Sequence, residues 1–175
     1  MPVEYYDPRA RQDSAPQPYD RTADLSGPLT VGLLANGFPD SGRFLEHLAA
    51  ALGPKLPRAS FKHFVKPADS AVVSEEMLAA IETACAALVC AYGHCGSCTS
   101  STVRDSIAAA RIGIPSVAFV TEAFWEQGNF VAQADGMPEV PRIKLPYPVA
   151  GTGEEALSAL AGRVADEVIA RLERG

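Results

Sequence analysis

The sequence has little that would bind nucleic acid or cross a membrane. It carries 15 Lys and Arg against 21 Asp and Glu, for a formal net charge of −6, and its basic residues form no stripe that could follow a phosphate backbone. No apolar run approaches the roughly 20 residues that span a bilayer. The first residues lack the basic and apolar segments of a secretory signal. We therefore expect a soluble, cytoplasmic protein that binds neither nucleic acid nor membrane.

Several common catalytic signatures are absent as well. The sequence has no GxSxG nucleophile elbow and no recognisable flavin or dinucleotide fingerprint, so we predict no cofactor. His47 and His63 stand alone, and the segment 151–153 (Gly-Thr-Gly) is too short for a phosphate-binding loop. Any reducing equivalents must come from outside the chain.

Cysteine is scarce, and all of it lies in one short window: Cys85, Cys90, Cys95 and Cys98. A secreted disulfide framework would spread its cysteines along a smaller chain. We interpret Cys85 and Cys90 as buried apolar thiols. Four cysteines could ligate zinc, but Cys90 lies inside a predicted strand and Cys85 before it, which carries both away from the others. We therefore predict no metal site.

Apolar strand-like runs alternate with amphipathic helical runs along most of the chain. Residues 1–28, rich in Pro, Asp and Tyr, are predicted to be an extended N-terminal arm. Tyr5, Tyr6 and Tyr19 suit an arm that packs on the surface or on a partner subunit. A disordered tail is the alternative. The predicted strands are Leu29–Ala35, Phe61–Val65, Ala86–Ala91, Ser116–Val120 and Arg142–Leu145. The predicted helices are Ser41–Leu52, Ser74–Cys85, Thr99–Arg111, Glu122–Asp135 and Glu154–Leu172. Continuous apolar strands between helices indicate a single α/β domain over residues 29–175, with a doubly wound, mostly parallel five-stranded sheet flanked by helices.

Polar residues follow the predicted strands at the edge where such sheets bind ligands. In an open parallel sheet, the ligand crevice lies beyond the carboxyl ends of the strands. The side chains expected to converge there and to bind substrate are Asn36, Lys66, His94, Ser97, Thr99, Ser100, Thr121 and Glu122. Tyr147 follows the last strand. The cysteine-containing loop lies in the middle of this set.

Cys95-Gly96-Ser97-Cys98 is a CxxC segment between a predicted strand and a predicted helix. A helix start leaves backbone N–H groups unpaired and carries a partial positive charge, which favours a thiolate. Cysteines three residues apart on a first helical turn share a face. We predict Cys95, the more exposed, as the nucleophile and Cys98 as the resolving cysteine. Lys66 and His94 are candidate cations that could lower the pKa of Cys95.

Longer segments resemble the UGSC family of cysteine- and selenocysteine-containing proteins. They are residues 93–100 (GHCGSCTS), 113–115 (GIP), 121–124 (TEAF), 31–37 (VGLLANG), 136–138 (GMP) and 146–148 (PYP). The resemblance implies a redox nucleophile at Cys95, since some members carry selenocysteine at the matching position. The cysteine segment is similar, more distantly, to glycine-reductase-type substrate subunits, which cleave a carbon–heteroatom bond reductively. His94 and Phe38 depart from the acidic and basic residues that the resemblance leads one to expect.

Three functions remain open from the sequence. The first is a thiol-based oxidoreductase that acts on a disulfide, a peroxide or an activated carbon–heteroatom bond of a small substrate and is reset by an external thiol reductant. The second is a non-redox lyase or transferase in which Cys95 is a covalent nucleophile and Cys98 is structural. The third is a non-catalytic subunit that binds a small ligand or metal within a larger assembly. The aromatic residues of the arm and of residues 124–125 favour a homo-oligomer.

Overall fold

The fold is built on a parallel β-sheet whose carboxyl edge carries the cysteine loop. A computed structural model describes residues 16–174. The strands are β1 (Leu29–Ala35), β2 (Ala59–Val65), β3 (Ala87–Gly93), β4 (Ser116–Thr121) and β5 (Arg142–Leu145). Their order in the sheet is β2-β1-β3-β4-β5, and every neighbouring pair is parallel. The predicted five-stranded sheet is confirmed, and it is wholly rather than mostly parallel.

Helices cover both faces of the sheet. They are α1 (Ser41–Leu52), α2 (Glu75–Ala84), α3 (Gly96–Arg111), α4 (Trp125–Ala134) and α5 (Glu154–Arg174), and a 3-10 turn at Glu122–Phe124 precedes α4. Helices α1 and α5 pack together on one face, whereas α2, α3 and α4 lie on the other. This arrangement confirms the doubly wound α/β fold. Within residues 16–174, no helix combines the length and apolar character needed to cross a bilayer.

The central strands are buried from both sides, which explains their continuous apolar sequences. Leu33, Val89 and Phe119 contribute to the core beneath α1 and α5. Leu34 and Cys90, which alternate with them, contribute to the core on the opposite face. The prediction of a buried thiol is confirmed at Cys90, which is 1% exposed, and also at Cys85.

Several element boundaries differ from the prediction. Strand β2 begins at Ala59 rather than Phe61, and α3 begins at Gly96 rather than Thr99. The predicted helix Glu122–Asp135 is divided into the 3-10 turn and α4. The early start of α3 has a physical cause, because the side chain of Cys95 caps that helix.

The described part of the predicted arm, residues 16–28, packs along the surface of its own chain. The Tyr19 hydroxyl donates to the backbone oxygen of Ser116 at 3.1 Å and accepts from the Ser116 amide at 2.8 Å. These bonds tie the arm to the first residue of β4. The predictions for Tyr5 and Tyr6 lie outside the described residues.

Candidate functional site

The two cysteines of the CxxC segment cap each other's backbone at the start of α3. Cys95 is the N-cap residue, and its Sγ accepts a hydrogen bond from the Cys98 amide at 3.2 Å. The Sγ of Cys98 accepts from the amides of Cys95, at 2.7 Å, and His94, at 3.1 Å. This reciprocal pattern is a capping box with sulfur in place of the usual oxygen. It holds both sulfur atoms at the positive end of the helix.

The two thiols differ in exposure and acidity. Cys95 is partly exposed, whereas Cys98 is fully buried. Burial raises the pKa of Cys95, but hydrogen bonds from the Cys98 side chain, the Ser97 hydroxyl and the Cys98 amide outweigh it, so the pKa lies below the ordinary thiol value. Burial, together with the hydrogen bond to Cys95, raises the pKa of Cys98 to about 12. Cys95 is therefore the more acidic of the two thiols, and the Cys98 thiol donates to the backbone oxygen of Cys95 at 3.3 Å.

The hydroxyl of Ser97 and the carboxylate of Asp69 have opposite effects on the pKa of Cys95. Ser97 is exposed, and its Oγ lies 3.5 Å from the Sγ of Cys95. The charge of Asp69 opposes ionisation of Cys95. Asp69 is in the loop after β2, and Ser101 of α3 donates a hydrogen bond to its backbone oxygen. Asp69 was not predicted as a site residue, although its place after a strand was a usable signal.

A glycine at the end of β3 allows that strand to approach the first turn of α3. A Cβ on Gly93 would lie 2.6 Å from Oγ1 and 2.9 Å from Cα of Thr99. Thr121 Oγ1 donates to the Gly93 oxygen at 2.8 Å. Thr99 Oγ1 is buried and has no hydrogen-bond partner. Thr99 and Thr121 thus lie inside the strand–helix junction, where they position the cysteine loop.

A glutamine from α4 holds the same helical turn from its other side. Gln127 Nε2 donates to the Gly96 oxygen at 2.7 Å and to the Ser100 hydroxyl at 3.1 Å. Ser100 in turn donates to the Gly96 oxygen at 3.0 Å. Gln127 was not predicted, because no local pattern marks a glutamine in the first turn of one helix whose partners lie on another helix.

His94 is a neutral aromatic residue rather than a cation. Its Nε2 accepts a hydrogen bond from the Val149 amide at 3.1 Å, so that nitrogen carries no proton. Burial lowers the pKa of His94. The rings of Phe38 and Tyr147 lie against the imidazole, with centroids 5.0 and 4.6 Å away. The expected positive charge at His94 is therefore not supplied in this arrangement, and hydrogen bonds lower the pKa of Cys95 instead.

Lys66 is part of a buried ion pair. Its Nζ lies 2.5 Å from Oδ2 of Asp105 and 2.5 Å from the oxygen of Ala71, and both charged side chains are 1% exposed. The other oxygen of Asp105 accepts from the Val73 amide at 2.7 Å. These bonds fix the loop after β2 onto α3. The ammonium of Lys66 is thus occupied by Asp105, and its role in substrate binding stays a prediction.

Asn36 and Glu122 also make contacts within the chain. Asn36 is 1% exposed, and its Nδ2 donates to the Tyr92 oxygen at 2.9 Å and to Thr102 Oγ1 at 3.0 Å. Glu122 is exposed and accepts a hydrogen bond from the Tyr147 amide at 3.3 Å. Asn36 therefore joins the end of β1 to β3 and α3, whereas Glu122 is open to a ligand.

The structure places the predicted site residues at one edge of the sheet but gives them unequal access. Ser97 and Glu122 are exposed, whereas Asn36, Lys66 and Thr121 are buried. Among residues 16–174, no group of three or more His, Cys, Asp or Glu side chains is arranged to hold a metal ion. Of the two cysteines of the cap, Cys95 is the one that is partly open to solvent.

Comparison with known proteins matches the chain to a protein family. A family model described as the UGSC family matches residues 4–174, nearly the whole chain. No curated protein matches the chain. The matched range includes the cysteine cap and the loops around it.

Proposed function

The chain belongs to the UGSC family, and we propose that it is a thiol-based oxidoreductase with Cys95 as nucleophile and Cys98 as resolving thiol. The observation that carries the proposal is the reciprocal cysteine cap, in which the two thiols differ in acidity. Hydrogen bonds lower the pKa of Cys95, whereas burial and the hydrogen bond to Cys95 raise that of Cys98. One sulfur is thereby ready to attack, and the other holds its proton in reserve.

With a disulfide substrate, the reaction consists of two successive thiol–disulfide exchanges. The Cys95 thiolate attacks one sulfur, the substrate S–S bond breaks, and half of the substrate leaves as a thiolate that takes up a proton. Cys98 then loses its proton and attacks the sulfur of Cys95, which releases the second half as a thiol. The substrate gains two electrons, and the protein keeps a Cys95–Cys98 disulfide. An external thiol reductant donates two electrons to restore both thiols.

The unequal acidity of the two thiols suits this order of events. While Cys95 is a thiolate, its charge favours the protonated form of Cys98. Once Cys95 is bonded to substrate, that charge is gone, and the two amides that donate to Cys98 favour its thiolate. Attack by Cys98 is therefore promoted only after the first step has taken place.

Aromatic side chains beside His94, the neighbour of Cys95 in the chain, offer a surface on which the apolar part of a small substrate could lie. Phe38 and Tyr147 beside His94 supply apolar surface, and Tyr147 is 47% exposed. A carbon–heteroatom bond is an alternative target that the family resemblance suggests. We place the protein in the cytoplasm, where thiol reductants keep cysteines reduced.

Trapping of a mixed disulfide tests the proposal. Cys98→Ser treated with a small symmetrical disulfide should accumulate an adduct on Cys95, because the second step is removed. The wild-type protein should instead form the Cys95–Cys98 disulfide and release both halves of the probe. Cys95→Ser should form neither product, and Cys90→Ser, which removes a buried thiol, should behave as wild type. An unmodified Cys95 in the Cys98→Ser variant would overturn the proposal.

A second candidate is favoured by the burial of Cys98. Its sulfur is inaccessible to solvent and accepts two backbone hydrogen bonds, which is a structural role in its own right. In that case Cys95 would be a covalent nucleophile in a non-redox lyase or transferase. The wild-type protein would then keep the probe on Cys95 and form no internal disulfide.

A further inference from the structure

A cavity lies at the outer edge of β5, apart from the cysteine site. Its volume is about 330 Å³, and Trp125, Val140 and Pro141 supply much of its apolar lining. Pockets that hold small organic ligands span about 300–1,000 Å³. Neither Cys95 nor any residue that contacts it lines this space. The cavity is therefore large enough for an organic molecule and distinct from the proposed catalytic site.

Two cations without carboxylate partners line the cavity. Arg142 and Lys144 are two residues apart on β5, so their side chains lie on the same face of the strand. Arg142 donates to the backbone oxygens of Val140, at 2.8 Å, and Pro138, at 2.9 Å, and its buried Nε has no partner. Lys144 Nζ lies 4.7 Å from the centroid of the Trp125 ring. Among the residues that the structure describes, neither cation forms an ion pair.

The remaining charges leave the cavity positive. Arg171 is a third cation, and it forms a 3.3 Å ion pair with Glu167. Glu139 is the other acidic residue of the lining. Three cations thus face two carboxylates, in a protein whose net charge is −6. Burial and the charge of Arg171 lower the pKa of Arg142, whereas the charge of Glu139 raises it. The negative charge of a bound anion would offset the two lowering effects.

We propose that this cavity binds a small organic anion in which a carboxylate or a phosphate is attached to a flat ring. The anionic group would lie between Arg142 and Lys144, where each unpaired cation gains a charge-assisted hydrogen bond. The ring would occupy the apolar space beside Trp125 and Pro141. Because the two sites share no lining residue, this proposal does not depend on the chemistry of Cys95.

Trp125 provides a direct reporter, because it is the only tryptophan in the chain. Phenyl phosphate and benzoate are titrated into the full-length protein while tryptophan fluorescence is recorded. Phenol, a ring without charge, and inorganic phosphate, a charge without a ring, are the comparison ligands. Calorimetry with phenyl phosphate measures the same dissociation constant independently.

Lys144→Gln has a matched control on the opposite edge of the sheet. Lys62 of β2 also lies over an aromatic ring, with Nζ 5.4 Å from the centroid of Phe64, but it does not line the cavity. Lys144→Gln should raise the dissociation constant about tenfold, the effect of one lost charge-assisted contact. Lys62→Gln should leave it unchanged.

The expected result is a saturable response to phenyl phosphate or benzoate that is weaker for both comparison ligands. The tighter of the two aryl anions identifies the preferred anionic group. An equal affinity for phenol, an unchanged affinity in Lys144→Gln, or the absence of both a saturable response and a binding heat would each overturn the proposal.

Discussion

Sulfur takes the place of oxygen in the N-terminal cap of α3, and contacts made at that position lower the pKa of Cys95. The usual capping residues are Ser, Thr, Asp and Asn, whose oxygen atoms accept from the first helical amides. Here the sulfur atom of Cys95 accepts from the Cys98 amide, and the side chains of Ser97 and Cys98 add further hydrogen bonds. A negative charge on this sulfur is therefore stabilised by local contacts alone.

Removal of the Ser97 hydroxyl should make Cys95 less acidic. Ser97→Ala deletes one of the hydrogen bonds that lower the pKa of Cys95. The pH profile of alkylation at Cys95 should shift to higher pH. Ser100→Ala is the matched control, because Ser100 bonds to Gly96 and Gln127 rather than to Cys95. Identical profiles in both variants would argue against the role of Ser97.

Substitutions of Cys95 should separate its chemistry from its capping role. Cys95→Ser and Cys95→Ala both remove the nucleophile and should abolish adduct formation at this position. Serine can still accept from the Cys98 amide, so Cys95→Ser should lose under about 0.5 kcal/mol of unfolding free energy, whereas Cys95→Ala should lose about 1 kcal/mol. Denaturant unfolding measures the difference. A Cys95→Ala protein as stable as the wild type would show that the sulfur makes no net capping contribution.

At the scale of elements, α3 is held between β3 and α4. Gly93 permits close approach from the strand, and Gln127 reaches the first turn from α4. The sequence predicts the strand–helix junction and the CxxC segment, because both depend on local pattern. It does not predict Gln127 or the pair Lys66–Asp105, because these contacts join residues far apart in the chain and depend on how the helices pack.

Gly93→Ala should destabilise the protein through this junction. The added Cβ would lie 2.9 Å from the Cα of Thr99, so backbone must shift, and the expected loss is about 1–3 kcal/mol. Gly162→Ala on α5 is the control, because nothing lies within 4 Å of its added Cβ. That variant should gain about 0.5–1 kcal/mol from helix propensity. A Gly93→Ala protein as stable as wild type would contradict the close approach.

At the scale of the whole molecule, alternating elements and continuous apolar strands were sufficient to predict a doubly wound sheet with five strands. Two of the boundary errors arose at helix starts. Helix α3 begins earlier than expected because Cys95 caps it, and a 3-10 turn replaces the expected first residues of α4. Accessibility was the harder property: Lys66 and Asn36 follow strands as predicted, yet internal partners bury both. A homo-oligomer stays a prediction, which light scattering of the purified protein would test.

Removal of Lys66 from its ion pair with Asp105 should make the free energy of unfolding depend on pH. Lys66→Met leaves a buried carboxylate and should cost about 3–5 kcal/mol near neutral pH. Burial already raises the pKa of Asp105, and loss of Lys66 removes a lowering effect, so the folded-state pKa rises further above the unfolded value. Protonation of Asp105 then stabilises the folded variant at low pH, and this contribution is lost as the pH rises through the folded-state pKa.

A surface pair supplies the comparison for that measurement. Lys55 forms a 2.7 Å ion pair with Asp166, whose side chain is 79% exposed. Lys55→Met should cost under about 1 kcal/mol. The free energy of unfolding of both variants and the wild type is measured from acid to neutral pH. The loss of stability relative to wild type should become smaller toward acid pH only for Lys66→Met. A deficit that does not change with pH would show that Asp105 stays ionised without its partner.

The account as a whole depends on Cys95 being a reactive thiolate coupled to Cys98. Alkylation of the reduced native protein across pH, mapped to individual cysteines by peptide mass spectrometry, tests this most directly when repeated after mild oxidation. We predict that Cys95 reacts at a pH below the ordinary thiol value of about 8.5, that Cys98 does not, and that oxidation protects both as one disulfide. A Cys95 that reacts no faster than an ordinary thiol, or an oxidised protein without that disulfide, would contradict the account.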